Sequence, residues 1–475
     1  MYVWRNLIFS IIITTFNNID TIRKTLDSII HQTLNNDKYE IIVIDDKSVD
    51  GTWEILNTYN KSNLKVYQLD ENSGGPSKPR NKGIRESIGD YVYFLDGDDW
   101  LDLNVLETIS LNYLHLDSDI IISKVIKDND GKQSIHAKFM TIKENHNVNG
   151  NGIPYLYYYL GPSGKFIKRE LILKSNILFP HNLHFGEDKV FFMNVFSVAN
   201  SVTTIPTIST YINRSPNNIS LVKKSNFLTK RNSDYFLFKN TLDVTDPKFR
   251  NKFLLRILEY DLLNNCNSKT FLNLEYEEQE KVFYIIRKMF THESITSEMI
   301  SSIDPKFSNA IKAIYDNNLD SFIGFFKWYK EGLKIISKKE NNLYSYISTN
   351  NEFETIVPFC NIKNLQVDRN SVYLQVEINN LKQEQISGIQ LESRTHFMNS
   401  KFISEISINH NLLTLCIDKS LLDSLDKGIY NVLVIYDSYK ALNIKYGFTK
   451  KLETTNRKVT FYPTINGNLS VKLET

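Results

Sequence analysis

The chain has 475 residues, of which 41% are hydrophobic and 23% are charged. This length suits two or three domains with buried cores, and the composition excludes a disordered or fibrous protein. The 56 Lys and Arg residues nearly balance the 54 Asp and Glu residues, so we expect no dedicated nucleic-acid partner.

The N-terminal apolar run, residues 7–13, has the length of a signal-peptide core, but it ends at Asn17 without a small-residue cleavage site. A buried first strand is therefore the favoured interpretation. No apolar run reaches the roughly 20 residues that a membrane-spanning helix needs. The cysteines Cys266, Cys360 and Cys416 form neither a disulfide framework nor a zinc-binding spacing. We expect a cytoplasmic protein without a transmembrane segment, which associates at most peripherally with the inner face of the cell membrane.

Residues 1–225 alternate short apolar runs with helical patterns. Ile22, Leu26 and Ile29 recur at helical spacing after Asp20, which is placed to cap the helix. Strands that alternate with helices predict an α/β domain with a mostly parallel sheet. The predicted strands are residues 9–14, 40–44, 64–68, 91–95 and 177–179.

The pattern changes twice after residue 225. Residues 226–348 contain long amphipathic stretches, such as 252–264 and 275–290, and are predicted to form a helical linker domain. Residues 349–475 carry short apolar runs separated by turn signals and are predicted to form an immunoglobulin-like β-sandwich. The predicted strands of this domain include residues 372–378, 412–417, 430–436 and 459–462.

Three carboxylates, Asp96, Asp98 and Asp99, directly follow the apolar strand at residues 91–95. Ligands bind at the carboxyl ends of strands in an open α/β sheet. Carboxylates crowded at such a point favour a hard divalent cation that bridges to a diphosphate. The alternative is a solvated acidic turn, since Asp-Gly-Asp is a common tripeptide.

A second strand, residues 40–44, ends in Asp45 and Asp46, which are able to accept hydrogen bonds from a ribose or a base. The alternative is a strand-to-helix connection in which Ser48 or Asp50 caps the next helix. Both interpretations are compatible with the sequence.

A glycine-rich stretch at residues 72–81 follows the third strand. Its two glycines allow the backbone to approach a ligand closely, and Lys78 and Arg80 supply charge that suits phosphate. The stretch lacks the Walker pattern. The alternative is a flexible loop that leads into a helix at residues 81–87.

The acidic pair Glu187-Asp188 precedes an apolar helical pattern. Such a pair is favoured at a helix N-terminus by the helix dipole alone. The functional interpretation is a general base that deprotonates an acceptor hydroxyl. We expect the flanking His184 and Lys189 to be ordinary residues of the cleft edge.

In this order, the acidic and glycine-rich motifs resemble glycosyltransferase family 2, whose members have a nucleotide-sugar-binding fold of the GT-A type. The run Ser10-Ile-Ile-Ile-Thr-Thr-Phe-Asn17 also fits that family. Residues 72–81 and 160–166 are similar, more narrowly, to the N-acetylglucosaminyl transferases that decorate wall teichoic acid in Gram-positive bacteria.

The resemblance implies an inverting transfer of N-acetylglucosamine from UDP-GlcNAc, with Mn²⁺ or Mg²⁺ as cofactor. Asp188 would be the catalytic base and Asp98 the metal ligand, and Phe16 would stack near the uracil. The implied acceptor is a polyanionic cell-wall polymer, poly(ribitol phosphate), and a homotrimer through the C-terminal region is possible by the same analogy. The implied donor-binding residues are Thr14, Phe16, Asp46, Asn72, Arg80, Asp96 and Glu187.

Basic clusters at Lys223-Lys224, Lys230-Arg231 and residues 248–252 would meet the phosphates of such a polymer, although each is also explained as a solvated helical face. Two positions depart from the family. Thr14 stands where relatives often have Pro, and the loop at residues 213–219 offers Asn where some relatives have His near the metal.

Three other functions stay open. A capsular-polysaccharide transferase of the same fold would carry the same catalytic motifs. A sugar nucleotidyltransferase is disfavoured, because the first strand-to-helix turn, residues 15–19, lacks its Gly-x-Gly-x-Arg signature. The third is a carbohydrate-binding protein with an inactive transferase fold, against which the intact acidic motifs argue.

Overall fold

The computed structural model describes residues 7–153, 155–181, 183, 185–216, 218, 226–339, 343–395, 397–437 and 440–475. The chain forms two compact units. The first comprises Met1–Cys266 and Asn273–Ser302, and the second comprises Asn267–Leu272 and Ile303–Thr475. The division into three domains at residues 225 and 348 stays a proposal. Among the described residues, no helix combines the length and the apolar character that crossing a membrane requires.

A mixed, mostly parallel sheet forms the centre of the first unit. Its main path has the strand order β3-β2-β1-β4-β9-β6-β10-β5, with β7 paired to β6 and β8 to β10. Strands β3, β2, β1 and β4 are parallel, as are β6 and β10, whereas β9 is antiparallel to both of its neighbours. The strands are β1 (Phe9–Thr15), β2 (Tyr39–Asp45), β3 (Leu64–Gln68), β4 (Tyr91–Asp96), β5 (Trp100–Leu101), β6 (Ile120–Asn129), β7 (Lys132–His136), β8 (Asn145–Val148), β9 (Lys165–Lys168) and β10 (Val202–Asn213).

Helices cover this sheet, which explains why its central strands are mostly apolar. Every residue of β1 and β2 is buried. The first helix buries Ile22, Leu26 and Ile29, the residues whose spacing predicted it. The helices around the sheet are α1 (Ile22–Ile30), α2 (Thr52–Leu56), α3 (Ser77–Glu86), α4 (Val105–Asn112), α5 (Arg169–Lys174) and α6 (Glu187–Val198).

Helix α3 lies unusually close to strand β1. A Cβ atom on Gly83 would be 2.2 Å from Ile12 Cγ2, a distance that only glycine avoids. The helix also begins at Ser77 rather than at residue 81, so the glycine-rich stretch predicted as a loop contains its first turn.

The predicted strand at residues 177–179 is wrong. Phe179 is buried, but its backbone amide and carbonyl both bond to the side chain of Asn81, at 2.9 and 2.8 Å, rather than to a neighbouring strand. An asparagine amide supplies one donor and one acceptor side by side, so it replaces a strand partner for one residue.

Helices after residue 226 complete the first unit. Residues 257–263 form a π-helical segment that directly continues α8. The helices are α7 (Phe227–Leu242), α8 (Pro247–Arg256), the π-helix Ile257–Leu263, α9 (Asn264–Cys266), α11 (Tyr276–Phe290) and α12 (Ser297–Ser302), with α10 (Lys269–Leu272) assigned to the second unit.

The second unit contains a β-sandwich, as predicted. Two antiparallel sheets, with orders β14-β15-β19-β18 and β17-β16-β20-β24-β23-β22, share one apolar core that includes Leu374 from the first sheet and Leu391 from the second. Helices α13 (Ser308–Tyr315) and α14 (Leu319–Glu331) and a small sheet precede the sandwich, and α15 (Lys419–Ser424) follows β19. The strands are β11 (Ile335–Lys338), β12 (Tyr344–Ile347), β13 (Glu354–Ile356), β14 (Phe359–Val367), β15 (Ser371–Asn379), β16 (Ile386–Ser393), β17 (Lys401–Ile403), β18 (Ile406–Asn409), β19 (Leu412–Asp418), β20 (Gly428–Tyr436), β21 (Lys440–Asn443), β22 (Lys450–Glu453), β23 (Lys458–Pro463) and β24 (Leu469–Glu474).

Candidate active site

The carboxyl ends of three parallel strands meet at one edge of the sheet. Thr14 of β1 pairs in register with Asp96 of β4, and the next residue, Thr15, pairs with Asp45 of β2. The sheet therefore brings together the strand-end residues that the sequence assigned to one site.

Asp45 has a structural part in this edge. It is fully buried and accepts hydrogen bonds from the Ser48 amide at 3.0 Å, the Ser48 hydroxyl at 2.5 Å and the Gln68 amide nitrogen at 2.9 Å. Asp50 likewise accepts from the backbone and hydroxyl of Thr52, the first residue of α2. The strand-to-helix connection is thus built by Asp45 and Asp50.

Asp46 organises the start of the glycine-rich stretch. Its carboxylate accepts from the Ser73 amide at 2.8 Å and from the Ser73 hydroxyl at 3.0 Å, and its carbonyl accepts from the Asn72 side chain at 3.0 Å. Burial raises the pKa of Asp46 above its ordinary value. Phe16, which follows β1 at this edge, exposes 45% of its surface and is therefore available to stack on a planar ring.

Arg80 connects three elements of the site. This side chain of α3 is almost fully buried, and it donates to Asp96 Oδ1 of β4 and to Glu187 Oε1 of α6, at 2.8 Å each. Burial alone would lower the pKa of Arg80, but the two carboxylates raise it. The charge of Arg80 is thus balanced by two acids, and the phosphate contact predicted for it from the sequence stays a prediction.

Asp96, Asp98 and Asp99 form a compact acidic cluster. One carboxylate oxygen from each lies within 4.8 Å of the others. Asp99 accepts from the Asn213 amide at 2.9 Å, and Asp98 accepts from the Asn218 side chain at 2.5 Å. The side-chain amide of Asn218 therefore lies against the metal-ligand candidate Asp98.

The acidic cluster fits a divalent cation. Burial, followed by repulsion from the neighbouring acids, raises the pKa values of Asp98 and Asp99. A cation among the three carboxylates would relieve this repulsion. Hard oxygen ligands of this kind suit Mg²⁺ and Mn²⁺ rather than softer metals.

Asp188 lies in the first turn of α6, immediately after the Arg80 contact residue Glu187. Gly186 precedes them at φ +81°, a left-handed conformation that favours glycine and lets the helix begin on the acidic pair. Burial raises the pKa of Asp188, while Arg80 and Lys189 act in the opposite direction. Burial and the charge of Asp188 raise the pKa of Glu187 to about 7, although Arg80 opposes this shift.

Sequence reasoning missed a buried lysine beside this base. Lys165 of β9 is completely buried, and its ammonium group donates to the Gly161 carbonyl at 2.6 Å and lies 3.8 Å from the centre of the Tyr159 ring. Burial lowers the pKa of Lys165 to about 7, with Asp188 acting in the opposite direction. Lys165 lies within the motif at residues 160–166, but nothing in that motif predicts that the lysine side chain is buried.

Two predictions about basic residues are wrong. Lys189 is not at the cleft edge, because its ammonium group bonds to the buried carboxylates of Asp234 and Asp261, at 2.7 and 3.0 Å. Arg231 is only 3% exposed and pairs with Asp234, so it neither forms a solvated face nor meets a polymer. His184 and Lys223-Lys224 lie outside the described residues.

Comparisons with known proteins agree with this architecture. Residues 10–174 match the profile of Glycosyl transferase family 2. The chain is 33% identical over 199 residues to the poly(ribitol-phosphate) beta-N-acetylglucosaminyltransferase TarS of Staphylococcus aureus, covering 42% of this chain and 34% of that protein. It is 34% identical over 196 residues to a poly(ribitol-phosphate) beta-glucosyltransferase of Bacillus spizizenii, covering 41% and 30% of the two chains. These alignments thus span about a third of the length of either relative.

A third relative matches over most of its length. The poly(ribitol-phosphate) beta-N-acetylglucosaminyltransferase TarP of Staphylococcus aureus is 27% identical over 323 residues, covering 65% of this chain and 96% of that protein.

Solved structures share the fold. The crystal structure of S. aureus TarS matches with a TM-score of 0.62 at 20% identity, over 99% of this chain and 85% of that one. TarS 1–349 in complex with UDP-GlcNAc matches with a TM-score of 0.62 at 22% identity, over 74% and 99%. Residues 10–174 therefore form a glycosyltransferase family 2 domain, and the chain resembles the wall teichoic acid transferases of Gram-positive bacteria.

Proposed function

We propose that this protein is a metal-dependent inverting hexosyltransferase that moves N-acetylglucosamine from UDP-GlcNAc onto hydroxyls of poly(ribitol phosphate). One observation carries the proposal: Arg80 bonds to both Asp96 and Glu187, which joins the acidic cluster and the candidate base in one site. Donor binding and proton removal must occur at adjacent positions in a direct displacement, and this bridge supports such an arrangement.

The nucleotide would bind between Phe16 and the start of the glycine-rich stretch. Phe16 is exposed enough to stack on the uracil, and Thr14 lies at the end of the same strand. Asp46 and Asn72, which bond to each other, would hold the uridine. Because Asp46 also fixes Ser73, any contact it makes with the donor is coupled to the shape of that loop.

Asp98 would be the principal metal ligand, assisted by Asp96 or Asp99. A Mn²⁺ or Mg²⁺ ion bound there supplies positive charge against the departing diphosphate. Asp96 would also hold the sugar side of the donor, with its orientation fixed by Arg80. Glu187 would position the sugar from the opposite side of Arg80.

Asp188 would remove the proton from the acceptor hydroxyl. The hydroxyl oxygen attacks the anomeric carbon from the face opposite UDP, so the new carbon–oxygen bond forms as the bond to the diphosphate breaks. The proton passes to the Asp188 carboxylate, and UDP leaves with the bonding electron pair. The raised pKa of Asp188 makes its carboxylate a stronger base than an exposed aspartate.

The relatives support the acceptor more firmly than the donor sugar. Two relatives with poly(ribitol-phosphate) in their names differ in the sugar, because one is an N-acetylglucosaminyltransferase and the other a glucosyltransferase. We further propose a cytoplasmic protein that associates peripherally with the membrane, and a homotrimer formed through the C-terminal β-sandwich. Analytical ultracentrifugation of the full chain tests the trimer.

The test of function is a matrix of donors and acceptors. The purified protein is incubated with UDP-GlcNAc or UDP-glucose and with poly(ribitol phosphate) or a neutral capsular glycan, with and without Mn²⁺, and the polymers are weighed by mass spectrometry. We expect one N-acetylhexosamine increment per transfer on poly(ribitol phosphate), absent in Asp188→Asn. Elongation of the neutral glycan alone would support the capsular alternative, and binding without turnover would support an inactive transferase fold.

A further inference from the structure

A buried group of five charged side chains lies behind the first turn of α6. We name it the Lys189 network. Lys189 Nζ bonds to Asp234 Oδ1 at 2.7 Å and to Asp261 Oδ1 at 3.0 Å. Arg231 Nη2 lies 2.8 Å from Asp234 Oδ2, and Arg256 pairs with the second oxygen of Asp261. No part of the proposed transfer reaction uses these residues.

We infer that Lys189, anchored by Asp234 and Asp261, is a positioning residue that aims Asp188 at the acceptor hydroxyl and holds its carboxylate ionised. The inference rests on the proposed function, in which Asp188 is the base. It makes the helices after residue 226 part of the catalytic apparatus rather than a spacer between domains.

The first support is the geometry of three consecutive residues. Successive side chains of an α-helix point about 100° apart around its axis. Glu187 is fixed on one side by Arg80, and Lys189 is fixed on another by the two aspartates. Asp188 lies between these anchors, and its Oδ1 accepts the Lys189 amide at 2.8 Å. Its direction is therefore set by its two neighbours.

The second support is that the charged side chains of the Lys189 network are buried, which is energetically costly. The side chains of Arg231, Asp234, Arg256 and Asp261 are at most 4% exposed. Replacing a buried ionic group by apolar residues of similar volume is often neutral or stabilising, so stability alone does not explain such a group. Within the Lys189 network itself, the three cations also carry one more charge than the two carboxylates. That charge favours the ionised form of a nearby carboxylate.

The third support is the π-helix that contains Asp261. This segment, Ile257–Leu263, interrupts the α-helical hydrogen bonding directly after Arg256. π-helical turns are rare and occur frequently at functional sites. The backbone carbonyl of Asp261 also accepts a hydrogen bond from Arg231. The distortion thus places both the carboxylate and the carbonyl of one residue within the Lys189 network.

Other charged and titratable groups also face Asp188, and they contribute to its pKa in every variant. Arg80 faces it from α3 and Asp96 from β4. Lys165 faces it from β9, and Tyr159 from the preceding loop. Glu187 is its neighbour on α6. Burial raises the pKa of Asp188, whereas Arg80 and Lys189 lower it, so loss of the lysine charge raises it further.

The experiment compares Lys189→Met, Lys189→Arg and Asp261→Asn in the full chain at saturating Mn²⁺. The readout is kcat/KM for transfer from UDP-GlcNAc to poly(ribitol phosphate) as a function of pH. In Lys189→Met we expect the acid limb of the kcat/KM–pH profile, which reports the pKa of Asp188, to move to higher pH by about one unit. An adjacent opposite charge shifts a carboxyl pKa by about 1–3 units. Lys189→Arg keeps the charge and the wild-type limb.

Asp261→Asn should shift the acid limb of this profile in the opposite direction. It removes a negative charge from the Lys189 network, so the acid limb should move to lower pH. A purely structural role would lower activity by the same factor at every pH in both variants, and that result overturns the inference. The matched control is Lys239→Met, which changes an exposed lysine of α7 and should leave the profile unchanged.

A second readout needs no turnover and separates this inference from the proposed function. Protein labelled with ¹³C at the aspartate side chains is titrated by NMR, and the Asp188 signal is identified by its loss in Asp188→Asn. An upward shift of the Asp188 midpoint in Lys189→Met supports the electrostatic role even if no donor is turned over. An unchanged midpoint in both Lys189→Met and Asp261→Asn overturns it, whatever the activity. If Lys189→Met does not fold, Asp261→Asn carries the same test with the opposite sign.

Discussion

Arg80 and Glu187 are 107 positions apart in the sequence and are joined by a 2.8 Å hydrogen bond within the candidate active site. The same guanidinium group bonds to Asp96 on its other side. The contact therefore ties α3, whose first turn lies in the glycine-rich stretch, to α6, whose first turn carries the candidate base. The first four predictions concern residues of this site.

The first prediction concerns Arg80 itself. Arg80→Met should destabilise the first unit by about 3–5 kcal/mol, because it leaves the buried Glu187 without its charged partner. The matched control is Lys78→Met on the same helix, whose ion pair with Glu71 is exposed and 3.6 Å long, and which should cost only about 0–1 kcal/mol. The measurement is the urea midpoint of each variant. Equal midpoints for the two variants would contradict the buried role of Arg80.

The second prediction concerns the metal. Asp98→Asn should lower kcat on the order of 10²-fold or more, because removing one electrostatic contribution to a transition state has effects of that size. Excess EDTA should abolish transfer by the wild type, with activity restored by Mn²⁺. Asp102→Asn is the control, since Asp102 lies outside the acidic cluster and accepts from Tyr211. Full turnover in EDTA would refute the metal site.

The third prediction concerns the base. Asp188→Asn should lower kcat by about 10²–10⁴-fold, the usual contribution of general base catalysis. Calorimetry should show UDP-GlcNAc binding near that of the wild type, because the substitution keeps the size of the side chain. If donor binding is lost together with activity, Asp188 is a donor ligand and another residue removes the proton.

The fourth prediction concerns stability and pH. The pKa of Glu187 is raised from 4.5 to about 7 in the folded protein. Between these values the unfolded chain has already released the proton that the folded chain still binds, so the free energy of unfolding falls as pH rises. Glu187→Gln removes this contribution. The loss of urea stability between pH 4.5 and pH 7 should therefore be smaller in Glu187→Gln than in the wild type, and an equal loss would assign the dependence to other groups.

The fifth prediction concerns the β-sandwich. Residues 359–475 should fold alone, because the buried residues of their core, from Cys360 to Leu473, all lie within that range. Circular dichroism should show β-structure and a cooperative thermal transition. The matched comparison is a fragment that begins at residue 380, which lacks β14 and β15 and should not unfold cooperatively. Similar transitions for both fragments would mean that β14 and β15 are not needed for a cooperative core.

Strand ends were the most predictable part of the site. Mostly apolar runs defined β1, β2 and β4 to within one residue at either end, because strands covered on both faces are mostly apolar. Their parallel pairing then forces Thr14 and Asp96 to the same edge. The convergence of these strand ends follows from sequence and topology together.

Long-range polar contacts were the least predictable part. The two carboxylates that hold Lys189 are 45 and 72 positions away in the sequence. The sequence pattern of α7 also does not distinguish charged side chains that are solvated from charged side chains that are buried. Likewise, nothing local to Asn81 indicates that its side chain replaces a strand partner for Phe179. Such contacts depend on which helices pack together, which hydrophobic spacing alone does not specify.

The close approach of α3 to β1 determines which glycines near Arg80 can be replaced. Gly83 lies one turn after Arg80, and any larger side chain there would meet Ile12 Cγ2 at 2.2 Å. A substitution at this position would force Ile12 or α3, which carries Arg80, to shift. Gly75, ahead of α3, has no such constraint, since a Cβ there would meet no atom within 4 Å. A side chain at position 75 can therefore be accommodated while α3 stays packed on β1, so that Arg80 keeps both of its acids.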